Sequence, residues 1–148
     1  MKQFFLIMAA LLSLAACKRD DDPAPSILGT WKFTGYKSIN GADGSEFNPQ
    51  AADDCEGKNT FVFKADGTAG ETFYSPSGSD CVVNGTQNYT YSYNAQTKEL
   101  TLTANGGTPE THEVVRLDNN TFEYVHDFYD GNGDGTPDKI VFIFTRAN

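Results

Sequence analysis

Residues 59–75, NTFVFKADGTAGETFYS, set two short runs of Thr, Phe, Val and Tyr on either side of Lys-Ala-Asp-Gly-Thr, residues 64–68. Phe61 and Phe63 fall two apart and share one face, as a half-buried strand requires. β-branched and aromatic runs flanking a Gly/Asp cluster are the signature of a hairpin. The pattern recurs along the chain. It predicts strands over 29–39, 59–65, 70–75, 88–94, 98–104, 111–117, 121–129 and 139–146, with turns marked by NAQTK (94–98) and LDNN (117–120). Leu100 and Leu102, and then Phe122, Tyr124 and Phe128, are expected to face the interior, whereas residues 140–144 are apolar at nearly every position, as in a strand covered on both faces or one that offers a face to something outside the core. Beyond Leu28 no segment repeats apolar residues at helical spacing for more than a turn or two. The expected class is therefore all-β: an antiparallel up-and-down barrel of about eight strands, whose closure removes exposed edges. A two-sheet β-sandwich is the alternative.

Upstream of the strands, MKQFFLIMAALLSLAA (1–16) has Lys2, an apolar run from Phe4 to Leu12 and then small residues, the layout of a secretory signal peptide. The run is too short to span a bilayer. LAAC (14–17) resembles the lipobox of bacterial lipoproteins, which implies lipidation at Cys17 and attachment of the protein to a membrane through that lipid. KRDDDPAPS (18–26) then reads as a solvated tether, so the expected organisation is a signal peptide at 1–16, a lipidated cysteine and tether at 17–26, and one domain at 27–148. A basic residue followed by an acidic cluster after the cysteine resembles the signal that sends Bacteroidetes lipoproteins to the outer face of the outer membrane. It implies the cell surface in preference to the periplasmic face.

The formal net charge is −9. Such a chain does not seek nucleic acid or an anionic bilayer by electrostatics, and a monomeric domain is expected. With Cys17 assigned to lipid, Cys55 and Cys81 are left in an exported, oxidising context where a disulfide is the default, a metal site being the alternative.

LGTWKFTGY (28–36), with glycine and tryptophan two apart at the start of a strand, is similar to the opening of lipocalins and of the lipocalin-like lipoproteins of Bacteroidetes. NPQAADDCEGKNTFVFKADGT (48–68), where a cysteine precedes an F-x-F-x-x-D-G-T hairpin, is similar as well, with a second cysteine downstream at Cys81. The resemblance implies that Trp31 closes one end of the barrel and that Arg146, near the last strand, covers it through a cation–π contact.

The segment between the last two expected strands, DGNGDGTPD (130–138), follows D-x-N-x-D-G-x-x-D. In a tightly curled segment Asp130, Asn132, Asp134 and Asp138 turn inward, and the backbone carbonyl of Thr136 completes an oxygen cup for calcium. The twelfth position of an EF-hand loop, a bidentate glutamate, is Val141 here, so this is not an EF-hand. The frame resembles the calcium loops of FG-GAP and thrombospondin type 3 repeats, and a weak structural calcium ion is the one cofactor expected. A metal-free turn rich in Asn, Asp and Gly is the alternative.

Catalytic candidates are few. His112 and His126 lie on neighbouring expected strands, where register could bring them together for zinc with a third ligand, although ordinary polar strand positions account for them better. Ser77 and Ser79 have no base in view, and no glycine loop leads into a helix. Tyr89, Tyr91 and Tyr93 share one strand face, suited to a core, a cavity or a sugar-stacking surface. The expected function is that of a non-enzymatic, lipid-anchored envelope protein that binds a small hydrophobic ligand inside its barrel. A surface adhesion module, binding glycan or protein with no internal ligand, is the alternative.

Overall fold

The structure is a computed structural model and describes residues 25–147. The signal peptide, Cys17 and all of the tether before Pro25 lie outside the described residues. Nine strands follow in order: β1 (Gly29–Ile39), β2 (Glu46–Ala51), β3 (Thr60–Phe63), β4 (Thr68–Ser77), β5 (Asp80–Asn94), β6 (Glu99–Ala104), β7 (Pro109–Leu117), β8 (Thr121–Tyr129) and β9 (Asp138–Arg146). A 3-10 turn, Glu56–Lys58, precedes β3. From β3 to β9 each strand pairs antiparallel with the next, and β9 returns to pair with β1. β1 and β3–β9 thus close an eight-stranded barrel, and the β-sandwich alternative is set aside.

β2 is the strand that spacing did not predict. Its EFNPQA sequence is largely exposed and includes Pro49, and it pairs only with the second half of β1, outside the closed ring. The first half of β1 pairs with β3 instead, and the exchange of partners takes place at Gly35, where φ is +146°. A Cβ built on Gly35 would lie 2.1 Å from the Gln50 carbonyl oxygen, so only glycine lets β2 approach there. Lys37 fastens the crossing, with Nζ 2.7 Å from Glu46 on β2 and 2.8 Å from Glu123 on β8.

Two further expectations change. β4 and β5 run well past the predicted 70–75 and 88–94, because the ladder continues to Ser77 and Asp80 around a two-residue turn at Gly78 and Ser79. The Pro, Gly and Ser content of that tip disguises it as a loop. Phe128 is not interior: the β8–β9 register shifts between Val125 and Asp127, the alternation breaks at that bulge, and Phe128 is 59% exposed. In β9, Val141 and Phe144 lie on opposite faces and both are buried, so that strand is covered on both sides.

The core occupies one end of the barrel. Trp31, Phe33, Phe61, Phe63, Leu100, Phe122 and Phe144 are buried together, with Phe122 and Phe144 centroids 5.6 Å apart and Phe61 and Phe63 4.3 Å apart. At this closed end Trp31 donates Nε1–H to the Ile27 carbonyl at 2.7 Å, and the Arg146 guanidinium lies 4.1 Å above its ring. Arg146 also donates to the carbonyls of Ser26, Leu28 and Asn119, each at 2.7 Å. The glycine two residues before the tryptophan has its reason here: a Cβ on Gly29 would sit 2.8 Å from Arg146 Nη1, and its φ is +116°.

Candidate functional site

Inward positions at the other end of the barrel carry smaller or more polar side chains, and the interior opens. On β6 the inward series runs Leu100, Leu102, Ala104, and on β4 it runs Ala69, Glu71, Phe73. The resulting cavity has a volume of about 600 Å³. Phe73, Leu102, Tyr124 and Phe142 give it apolar walls, Ala104 makes room, and Glu71, Tyr89, His112 and His126 supply polar atoms. A second lobe of about 260 Å³ lies beside the 3-10 turn, lined by Phe33, Tyr36, Glu56 and Asn59. Glu71, Phe73 and Phe142 border both lobes.

Glu71 is the residue that sequence reading missed. Its carboxylate accepts a hydrogen bond from the Tyr89 hydroxyl at 3.2 Å, the one hydrogen-bond partner it has among the described residues. Burial disfavours its charged form and pushes it up to about 7, against which the Tyr89 hydrogen bond acts only weakly. Burial, and next the Glu71 charge, push the Tyr89 phenol upward, so it stays a donor. The signal was legible: in GETFYS, position 71 shares the face of Phe73 and of the buried Ala69, and a glutamate on an inward face is costly unless it has a role.

The two histidines do come to one place, both lining the cavity from β7 and β8. His112 Nδ1 is 3.0 Å from the Val125 carbonyl oxygen, and its Nε2 is 4.0 Å from Glu110. The His126 ring stacks on Phe142 with centroids 4.0 Å apart and planes at 12°. Burial, and then the neighbouring His112, hold His126 below the usual histidine range. Among the described residues no group of three or more His, Cys, Asp or Glu side chains is placed to hold a metal ion, zinc at the histidines included.

The other sequence candidates are dispersed. Cys55 and Cys81 form a disulfide across 26 residues, Cα to Cα 5.3 Å, tying the segment before the 3-10 turn to β5. Constraining a loop of that length in the unfolded chain is worth about 3 kcal/mol. In the 130–138 loop, Asp130 accepts the amides of Gly133, Asp134 and Gly135, while Asn132 and Asp134 bond to each other and to the following amides. Asp138 is fully buried and accepts the amides of Gly131 and, across the β1–β2 turn, Gly41. Ser77 and Ser79 are exposed at the β4–β5 tip. Tyr89, Tyr91 and Tyr93 turn inward while Asn88, Thr90 and Ser92 are exposed; Tyr89 and Tyr91 pack near Phe61 and Phe63.

The arrangement suits a molecule with an apolar body and one polar group. Two solved structures resemble the chain. A lipocalin-like protein from Bacteroides uniformis is 16% identical, with a TM-score of 0.48 over 81% of this chain and 97% of that one. A deswapped triple mutant of bovine odorant-binding protein is 14% identical, with a TM-score of 0.37 over 80% of this chain and 72% of that one. No curated protein matches the chain significantly. The model of the lipocalin-like domain matches residues 27–124, from the buried Ile27 to the cavity wall at Tyr124. With more than half of its length matched, the chain belongs to the lipocalin-like domain family.

Proposed function

We propose that the protein holds one small, largely apolar molecule in the open end of its barrel, and that it is a non-enzymatic lipoprotein anchored through Cys17 on the surface of a bacterial outer membrane. The observation that supports the binding half is the cavity: about 600 Å³ with aromatic and aliphatic walls, inside the usual range of small-molecule sites, about 300–1,000 Å³. The anchoring half rests on residues 1–17 alone, and a calcium ion in the 130–138 loop rests on the D-x-N-x-D-G-x-x-D frame.

Binding is tested with N-phenyl-1-naphthylamine, a neutral apolar probe whose fluorescence rises when it leaves water. One saturable site is expected, weakened about tenfold or more by Ala104→Trp, which puts an indole into the space the ligand needs. No saturable signal, or one indifferent to Ala104→Trp, refutes the reading.

An adhesive role draws its support from a different surface than the tyrosine face, which is turned inward. Val82, Val83, Phe128 and Tyr129 are exposed at 45%, 55%, 59% and 67%. Capture of glycan or protein that survives Ala104→Trp but not Phe128→Ser/Tyr129→Ser would favour it.

A further inference from the structure

We infer that the cavity selects a positively charged ligand, an amine or quaternary ammonium on an apolar or aromatic body, over fatty acids and other anions. This rests on the binding reading above. Among the described residues, the acidic side chains lining the two lobes are the half-buried Glu71, which borders both, and the exposed Glu110 and Glu56, and no Lys or Arg lines either lobe. An anionic head group entering this space would meet the half-buried Glu71 carboxylate and, among the described residues, no fixed cation to pair with, while the exposed Glu110 and Glu56 add a repulsion that water screens.

The basic groups that could answer an anion are His112 and His126. His126 is held below its usual range and its ring is stacked flat on Phe142, while His112 already uses Nδ1 on the Val125 carbonyl oxygen. Glu71 stands differently. It borders both lobes and has Tyr89 alone as hydrogen-bond partner among the described residues, and the rings of Phe73, Tyr89, Tyr124 and Phe142 share its cavity. A carboxylate among aromatic faces is the environment that recognises ammonium, through charge pairing on one side and cation–π attraction on the others. The net charge of −9 adds a field that draws cations toward the molecule.

The free cavity carries an unmet cost, since ionised Glu71 is half-buried with no counter-ion among the described residues. A bound cation supplies one, so binding drives Glu71 to its ionised form and releases a proton wherever it was protonated. With Glu71 at about 7 in the empty cavity, affinity for a cation of fixed charge should fall up to about tenfold between pH 8 and pH 6. The other titratable groups facing this space are Tyr36 from β1, Glu56 from the 3-10 turn, Tyr89 from β5, Glu110 and His112 from β7, and Tyr124 and His126 from β8. Protonation of His126 at lower pH adds repulsion in the same direction, and Glu71→Gln separates the two contributions.

The test is calorimetric titration of the full chain with 2-naphthylmethyl-trimethylammonium, 2-naphthylmethanol and 2-naphthoate at pH 6 and pH 8. At pH 8 the cation should bind about tenfold tighter than the alcohol, with the carboxylate weakest. Glu71→Gln should bring the cation-to-alcohol ratio toward one and flatten most of its pH dependence. The pH series on the unaltered protein decides the matter if that variant does not fold. Equal binding of cation and alcohol, or tightest binding of the carboxylate, overturns the charge preference while ligand binding stands. If none of the three binds, both readings fall.

Discussion

The two ends of the barrel are built on the same strands by the same alternation, yet one is solid and the other hollow. At the closed end the inward positions are apolar and most are large, and the remaining gap is sealed by Arg146 lying over Trp31 and bonding three carbonyls. At the open end the inward positions on β4, β6, β7 and β8 become Glu71, Ala104, His112 and His126. Eight strands are just able to enclose either a packed core or one ligand, and this molecule does each in turn along its axis. Stability should therefore be concentrated at one end and specificity at the other.

Four measurements bear on that division, and the largest effect belongs to the closed end. Trp31→Ala removes a fully buried indole and the platform beneath Arg146; a loss of about 4 kcal/mol is expected in denaturant titration, and a loss below about 1 kcal/mol would mean the end is not solid. Next comes Cys55→Ser with Cys81→Ser, which removes the tie between the 3-10 turn and β5. It should cost about 3 kcal/mol, read as a lower melting temperature, while Trp31 fluorescence of the folded state keeps its buried emission.

The third effect is a pH dependence confined to the open end. Burial raises Glu71 from its ordinary 4.5 to about 7, so between those values the folded state binds more protons than the unfolded state. Its stabilising contribution is complete below pH 4.5 and is lost as pH rises through about 7, by a total of about 3 kcal/mol. His126, held low by burial, gives the opposite slope, so the readout is the difference between the protein and its Glu71→Gln variant across pH 4 to 8. A difference that does not change with pH would place Glu71 in water and not in the cavity. The smallest effect concerns the 130–138 loop. At 10 mM calcium, a weak site with a Kd of about 1 mM stabilises by about 1.4 kcal/mol, a rise of about 5 °C that Asp134→Ala should remove. An unchanged melting temperature in chelated and calcium-loaded protein would show that the backbone amides alone close the loop.

Legibility in the sequence follows the same division. The closed end could be read from spacing because large apolar residues two apart have one plausible environment: Phe61 with Phe63, Leu100 with Leu102 and Phe122 with Tyr124 all lie where alternation places them. Alternation stops being a guide where the register shifts. The bulge after Val125 exposes Phe128, and the bend at Gly35 admits β2, whose sequence has no strand signature. Glu71 went unread for a different reason. A single carboxylate in a short strand looks like an outward residue until its face is counted against Ala69 and Phe73, and closure of the sheet turns that face onto the cavity.

Arg146 and Ile27 have one more consequence. The described chain begins beside Trp31, where Ile27 accepts the indole proton, and ends beside it too, with the Ala147 amide bonded to the Thr30 carbonyl at 2.9 Å. Both ends of the described chain therefore lie at the sealed base, so a fluorophore or sensor chip attached directly at either of them would sit at the opposite pole from the mouth. Immobilised this way, the molecule stands like a cup on its foot, and the approach of solutes to its rim stays unobstructed.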